Sequence, residues 1–180
     1  VPTHFDFSGT PDGYSGRLFA VVGLPLFILA CHLFSAVVMR ADPKKQNISE
    51  KLMNIVLWIC PVVSLYASAM VYSYALGYAI NAARTGTFLV GILFVVVGNY
   101  LPKCRQSYTV GIKLPWTLDD EDNWYHTHRF AGCVWMILGL AILIIGLLGS
   151  FPSVLLAAPI VAVVLPTVYS FLYAKRHGKA

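Results

Sequence analysis

The chain has 180 residues, of which 58% are hydrophobic and only 12% charged, with a formal net charge of +5 and a mean hydropathy of +0.70. A water-soluble domain carries about 25% charged residues because its surface must be wetted. Half that share excludes an ordinary soluble fold and points to a membrane protein.

Residues Val1–Gly16 are polar and rich in turn formers. Pro11-Asp12-Gly13 predicts a tight turn, since Pro presets φ and Gly accepts positive φ. His4 with Asp6 or Asp12 brings acids and an imidazole together without metal-ligand spacing, so no metal is expected. The aromatics Phe5, Phe7 and Tyr14 are expected to pack at the membrane interface. His4, Phe5, Asp12 and Tyr14 are the recognition candidates of this segment.

Five apolar runs follow: Leu18–Met39, Leu52–Tyr78, Gly86–Leu101, Phe130–Gly149 and Ser153–Ala174. About 20 mostly apolar residues cross a bilayer as a helix, and four runs meet this. The third is short unless Thr85 and its neighbours join it. None holds Asp, Glu, Lys or Arg in its interior, and none alternates as a membrane barrel strand would. The fold class is therefore all-α, a polytopic transmembrane helical bundle with five spans. Pro25, Pro61, Pro159 and Pro166 predict kinks whose freed carbonyls neighbours must satisfy. Ala67, Ala69, Gly86, Gly91, Gly139, Gly146 and Gly149 allow close helix packing.

Between the first two runs, Asp42-Pro43 should end one helix and Ser49 should cap the next. Between the third and fourth lies the longest polar stretch. There Pro102 and Pro115 bracket a segment in which Lys103, Arg105 and Lys113 alternate with apolar residues, and Trp116 suits the membrane–water boundary. Asp119 is expected to cap a helix whose first turn is acidic. That helix should run unbroken into the fourth span, with Trp124 and Phe130 marking where it meets lipid. His126 and His128, two apart on a helix, point in nearly opposite directions and cannot share one ion.

Arg40, Lys44, Lys45, Lys51, Lys103, Arg105, Lys113, Arg129, Lys175, Arg176 and Lys179 all fall on one set of connections. Arg17 and Arg84 are the remaining basic residues of the 13. The positive-inside rule then puts the central loop and C-terminus in the cytoplasm and residue 1 outside. Residues 1–39 form an outer loop plus a first span. Residues 40–180 form a four-helix core with loop 102–128.

No GxSxG, HExxH or phosphate-cradling motif is present, and an enzyme is not expected. Cys31, Cys60, Cys104 and Cys133 lack CxxC spacing and are expected to be structural. The spans offer only His32, Asn54, Asn81 and Asn99 as polar groups suited to ion coupling. Coupled carriers usually hold charged residues there, so a small transporter or flippase-like component is the weaker alternative.

The strings Gly98-Asn-Tyr-Leu-Pro-Lys103, Val110-Gly-Ile-Lys113, Pro115-Trp-Thr-Leu118, and Trp124 with Thr127-His-Arg-Phe-Ala-Gly132 resemble the signature of the SdpI family. Pro2-Thr-His-Phe5 and Ser8-Gly-Thr-Pro-Asp-Gly-Tyr14 resemble the small domain that precedes its core. Departures are Ser107, where the family usually has Asn, and Lys113-Leu114, where it has Arg-Thr. The resemblance implies an integral membrane protein of immunity against an exported peptide toxin, binding rather than catalysing. It also implies a first helix before Val1, hence six spans when intact, and a cytoplasmic repressor held at the membrane. Membrane lipid, a toxin outside and a repressor inside are the expected partners, with no cofactor and no direct contact with nucleic acid. The implied binding residues are Asn99, Pro102, Lys103, Arg105, Gly111, Lys113, Pro115, Trp116, Thr117, Trp124, Thr127, His128 and Arg129.

Overall fold

A computed structural model describes residues 1–6, 8–78, 80–149 and 152–178; Phe7 and Lys179 lie outside the described residues. Among the described residues a two-stranded antiparallel hairpin, β1 (Pro2–Phe5) and β2 (Pro11–Tyr14), precedes six α-helices. These are α1 (Leu24–Arg40), α2 (Glu50–Ala75), α3 (Ala82–Tyr100), the short α4 (Pro115–Asp119), α5 (Glu121–Leu148) and α6 (Pro152–Arg176). All but α4 carry a stretch long and apolar enough to cross a membrane: Phe19–Arg40, Glu50–Ala75, Ala82–Lys103, Glu121–Leu148 and Leu155–Arg176. Leu26, Phe27, Phe34, Trp58, Leu65, Ile137, Leu147 and Ile160 are each more than half exposed on these helices, as side chains facing lipid would be.

The starts of the second and third spans have a local cause. Ser49 accepts from the Leu52 N–H at 3.3 Å and opens α2, as its residue type predicts. Asn81 accepts from the Arg84 N–H at 2.8 Å and opens α3. Thr85 thereby joins the third span, which reaches 22 residues with its 3-10 extension and clears the bilayer requirement.

Helices α3 and α5 form the centre of the bundle, and their backbones nearly touch. A Cβ on Gly98 would lie 2.8 Å from the Met136 amide nitrogen, and one on Gly139 would lie 2.8 Å from the Val95 amide nitrogen and 2.9 Å from the Gly91 carbonyl. Small residues are what permit such approach where no hydrophobic effect drives helices together. Phe94 and Trp135 stack across the seam at 4.7 Å, and Ile142, Ala158 and Ala162 close the core from α5 and α6.

Two of the interior prolines are paired with a side chain from the preceding helix. Pro61 has no N–H for the carbonyl of Leu57, four residues back, and His32 on α1 lies with Nδ1 3.1 Å from that oxygen. Pro166 deprives Ala162 in the same way, and Trp135 on α5 donates its indole N–H to that carbonyl at 3.0 Å. His32 is thus a helix-to-helix tie, which accounts for an imidazole in an apolar run.

The bundle has two unlike ends. The hairpin sits at the end where α2 meets α3; the central loop sits at the other, with the α1–α2 connection and the end of α6. The turn of the hairpin corrects an expectation. Pro11-Asp12-Gly13 lies inside β2, and the chain reverses at Asp6–Thr10 instead. Asp6 Oδ1 gathers the Ser8 N–H (2.9 Å), the Ser8 hydroxyl (2.6 Å) and the Thr10 N–H (2.8 Å), an Asx-type turn that outcompetes the Pro-Gly signal. Pro11 is tolerated because it begins an edge strand.

Candidate functional site

The central loop is a small folded cap, built from buried polar side chains. Leaving α3, the chain makes one 3-10 turn (Leu101–Lys103), runs irregularly to Leu114 and enters α4. Pro115 occupies a first-turn position of α4, where a missing N–H costs nothing. Asp120 then adopts φ −133° and breaks the helix. Asp119 therefore ends α4 and does not cap the fourth span, contrary to expectation. Asp120 caps α5 instead, through Oδ1 to the Asp122 N–H at 3.2 Å.

His128 is at the centre. Its Nε2 accepts the Ile112 N–H at 2.8 Å, so its proton must be on Nδ1, which lies 2.7 Å from the Trp124 carbonyl. The ring is neutral, 1% exposed, and stacked on Trp124 at 4.1 Å. The Trp124 indole N–H donates to the Cys104 carbonyl at 2.9 Å. Gly111 lies against both rings with φ +116°; a Cβ there would be 2.5 Å from His128 Nε2 and 2.7 Å from Trp124. Thr117 accepts the Leu114 N–H at 2.9 Å and has the Ile112 carbonyl 2.9 Å away as acceptor.

A second strand of the network reaches α6. The Thr127 hydroxyl lies 2.9 Å from Asn123 Oδ1, the Asn123 amide donates to the Ser170 carbonyl at 3.0 Å, and the Trp116 indole donates to the Ser170 hydroxyl at 3.0 Å. A third reaches the α1–α2 connection. Asp42 accepts the Lys44 and Tyr108 N–H groups and the Thr109 hydroxyl (2.7, 3.0 and 2.6 Å). Gln106 donates to the Leu118 carbonyl at 2.7 Å, accepts from Lys44 Nζ, and its own carbonyl accepts from Asn47 at 2.8 Å.

Burial pushes the Asp42 carboxyl upward, but the Thr109 hydroxyl and the Lys44 and Tyr108 amides outweigh it and hold it below the usual value. Burial alone pushes the Cys104 thiol up to about 11, far from the thiolate range that makes cysteines reactive.

The expected binding residues divide into two groups. Thr117, Trp124, Thr127 and His128 are buried, and Gly111 and Trp116 half-buried, all inside the network. Asn99, Pro102, Lys103, Arg105, Lys113, Pro115 and Arg129 are exposed. Trp124, expected where the helix meets lipid, is 2% exposed and forms an inner wall. Gln106, Asn123 and Ser170 went unnoticed in the sequence, because single polar residues without a spacing pattern give no signal; Asp42 was read only as a helix stop and Ser107 only as a departure from the family pattern.

At the opposite end, His4 Nδ1 meets Asp12 Oδ1 at 2.6 Å on the exposed hairpin face. Phe5 packs on Tyr74 at 4.9 Å, while Tyr14 is 71% exposed. The Tyr74 hydroxyl lies 3.0 Å from the Gly9 carbonyl and 2.8 Å from that of Ile80. Beneath the hairpin is a mainly apolar cavity of about 380 Å³, lined among others by His4, Asp6, Leu24, Tyr66, Met70 and Leu155.

Five long apolar helices with one end closed by a built polar cap define a multi-pass membrane protein. Residues 103–170 match the SdpI/YfhL protein family, and residues 1–29 match a domain of unknown function, DUF1648. Over 126 residues the chain is 30% identical to the immunity protein SdpI of Bacillus subtilis (strain 168), covering 69% of this chain and 58% of that relative. The chain thus spans somewhat over half the length of the curated relative it matches, and no solved structure matches it. The match to the SdpI/YfhL family rests on residues 103–170, and the chain is similar to the SdpI immunity protein over 69% of its own length.

Proposed function

We propose that the chain is a membrane immunity protein that binds an exported antimicrobial peptide at its hairpin end, with that end outside the cell. The named relative is an immunity protein, which supplies the class of activity. The observation that carries the site is the apolar cavity of about 380 Å³ under the hairpin. A membrane-active peptide is apolar along one face, and such a cavity can take its side chains while the polar hairpin remains in water. Binding needs no chemistry, and no catalytic set is invoked.

The basic loop end then faces the cytoplasm. Its buried residues give the cap a fixed shape, and Tyr108, Lys113 and Arg129 stand exposed on it as a surface for a cytoplasmic repressor. The test is survival of a toxin-sensitive strain expressing the full chain. Protection that is lost when Met70→Trp fills the cavity, with membrane levels unchanged, supports the reading. No protection against any exported peptide of the producing strain overturns it. Thiol labelling of single cysteines at Tyr14 and Tyr108 from outside checks orientation: only the former should react.

A further inference from the structure

Beside the cap lies a second cavity, of about 570 Å³, that the immunity reading does not use. Its lining includes Lys103, Arg105, Glu121, Trp124 and Tyr125. Lys103 is the last residue of the third span, and Arg105 is two residues beyond it, so both charges stand at the level where a bilayer's hydrocarbon gives way to headgroups. Lys103 Nζ lies 4.5 Å above the Tyr100 ring, which holds it at that level. Among the described residues neither cation forms an ion pair, nor does Glu121. Arg129 donates to the Tyr125 hydroxyl at 2.6 Å, placing a further positive charge against the wall.

Unneutralised cations around an aromatic-walled recess at a span's end are suited to a phosphate group. The exposed carboxylate of Glu121 would be adverse to a bare phosphate dianion but suits hydroxyl groups, whose protons it accepts. From this juxtaposition we infer that the cavity binds the headgroup of an anionic phospholipid: a phosphodiester on Lys103 and Arg105, with its hydroxylated end on Glu121. The bound lipid would fasten the cap to the bilayer, alongside α3. The inference stands whether or not the chain confers immunity.

The test uses the full chain, delipidated in neutral detergent and titrated with phosphatidylglycerol, phosphatidic acid, phosphatidylcholine or glycerol phosphate, read by native mass spectrometry. Phosphatidylglycerol should bind, and the Lys103→Gln/Arg105→Gln double variant should weaken it about 30-fold, from two phosphate-facing cations. Lys45→Gln/Lys51→Gln removes the same charge from the same end and should change it less than about threefold. Glu121→Gln should erase preference for phosphatidylglycerol over phosphatidic acid. Among the described residues neither cation's side chain donates a hydrogen bond, so the double variant should keep its wild-type circular dichroism. Equal binding of phosphatidylcholine, or equal losses in the two double variants, overturns the proposal. Glycerol phosphate binding as tightly as the lipid overturns the lipid as the source.

Discussion

The two ends of this bundle are built on opposite principles. At the loop end, polar side chains point inward and are nearly all satisfied by one another, so the cap is a rigid body assembled from four segments of chain. At the hairpin end, polar side chains point outward and the hairpin rests on the helices through Phe5 and Gly9, both against Tyr74. Signature residues are dense at the first end, yet half of them are inaccessible. A dense sequence pattern can therefore mark what holds a surface in place, while the surface available to a ligand is elsewhere or beside it.

Substitutions can break this contrast. The largest effect should come from Gly111→Ala, which combines a strained positive φ with a clash into His128 and Trp124. A loss of about 3 kcal/mol or more is expected from the two terms, measured by unfolding in mixed detergent micelles. Next, His128→Phe leaves the Ile112 N–H without its acceptor, for about 1–3 kcal/mol. If that variant unfolds like the parent, the cap is not held by its network.

Acid should act on the loop end through Asp42. Its folded pKa is lowered, so its contribution is present above the unfolded value and is lost as pH falls below about 4. Hydrogen exchange at Tyr108 and Thr109 should rise over that range, and Asp42→Asn should flatten the acid limb. Tyr74→Phe should cost the bundle about 1 kcal/mol or less while speeding exchange at Gly9 and Thr10. A global collapse on this change would make the hairpin part of the core and end the contrast. The smallest effect concerns thiols: Cys133 is exposed and Cys104 buried. In detergent, a maleimide should label Cys133 and spare Cys104 until the protein unfolds.

The spans were legible in the sequence because length and absence of charge are sufficient to define them, and Ser49 was legible because a cap is a local event. Asp119 was misread by one residue: four acids in a row look alike, and only the backbone at Asp120 decides which one caps. The hairpin was missed because Asp6 supplies a turn through its side chain, which no dipeptide announces. At the loop end the signature strings lie where the chain is most tightly folded, but Asp42 and Gln106 act across more than 60 residues of sequence. Such pairings are set by tertiary packing alone.

The ties between His32 and Leu57 and between Trp135 and Ala162 make each of those prolines a shared possession of two helices. Replacing Pro61 by alanine would give Leu57 its own amide donor and set the imidazole adrift in hydrocarbon, whereas altering His32 first would strand the carbonyl. Either member changed alone leaves a debt that the other's removal settles, so the pair should tolerate joint replacement better than single replacement.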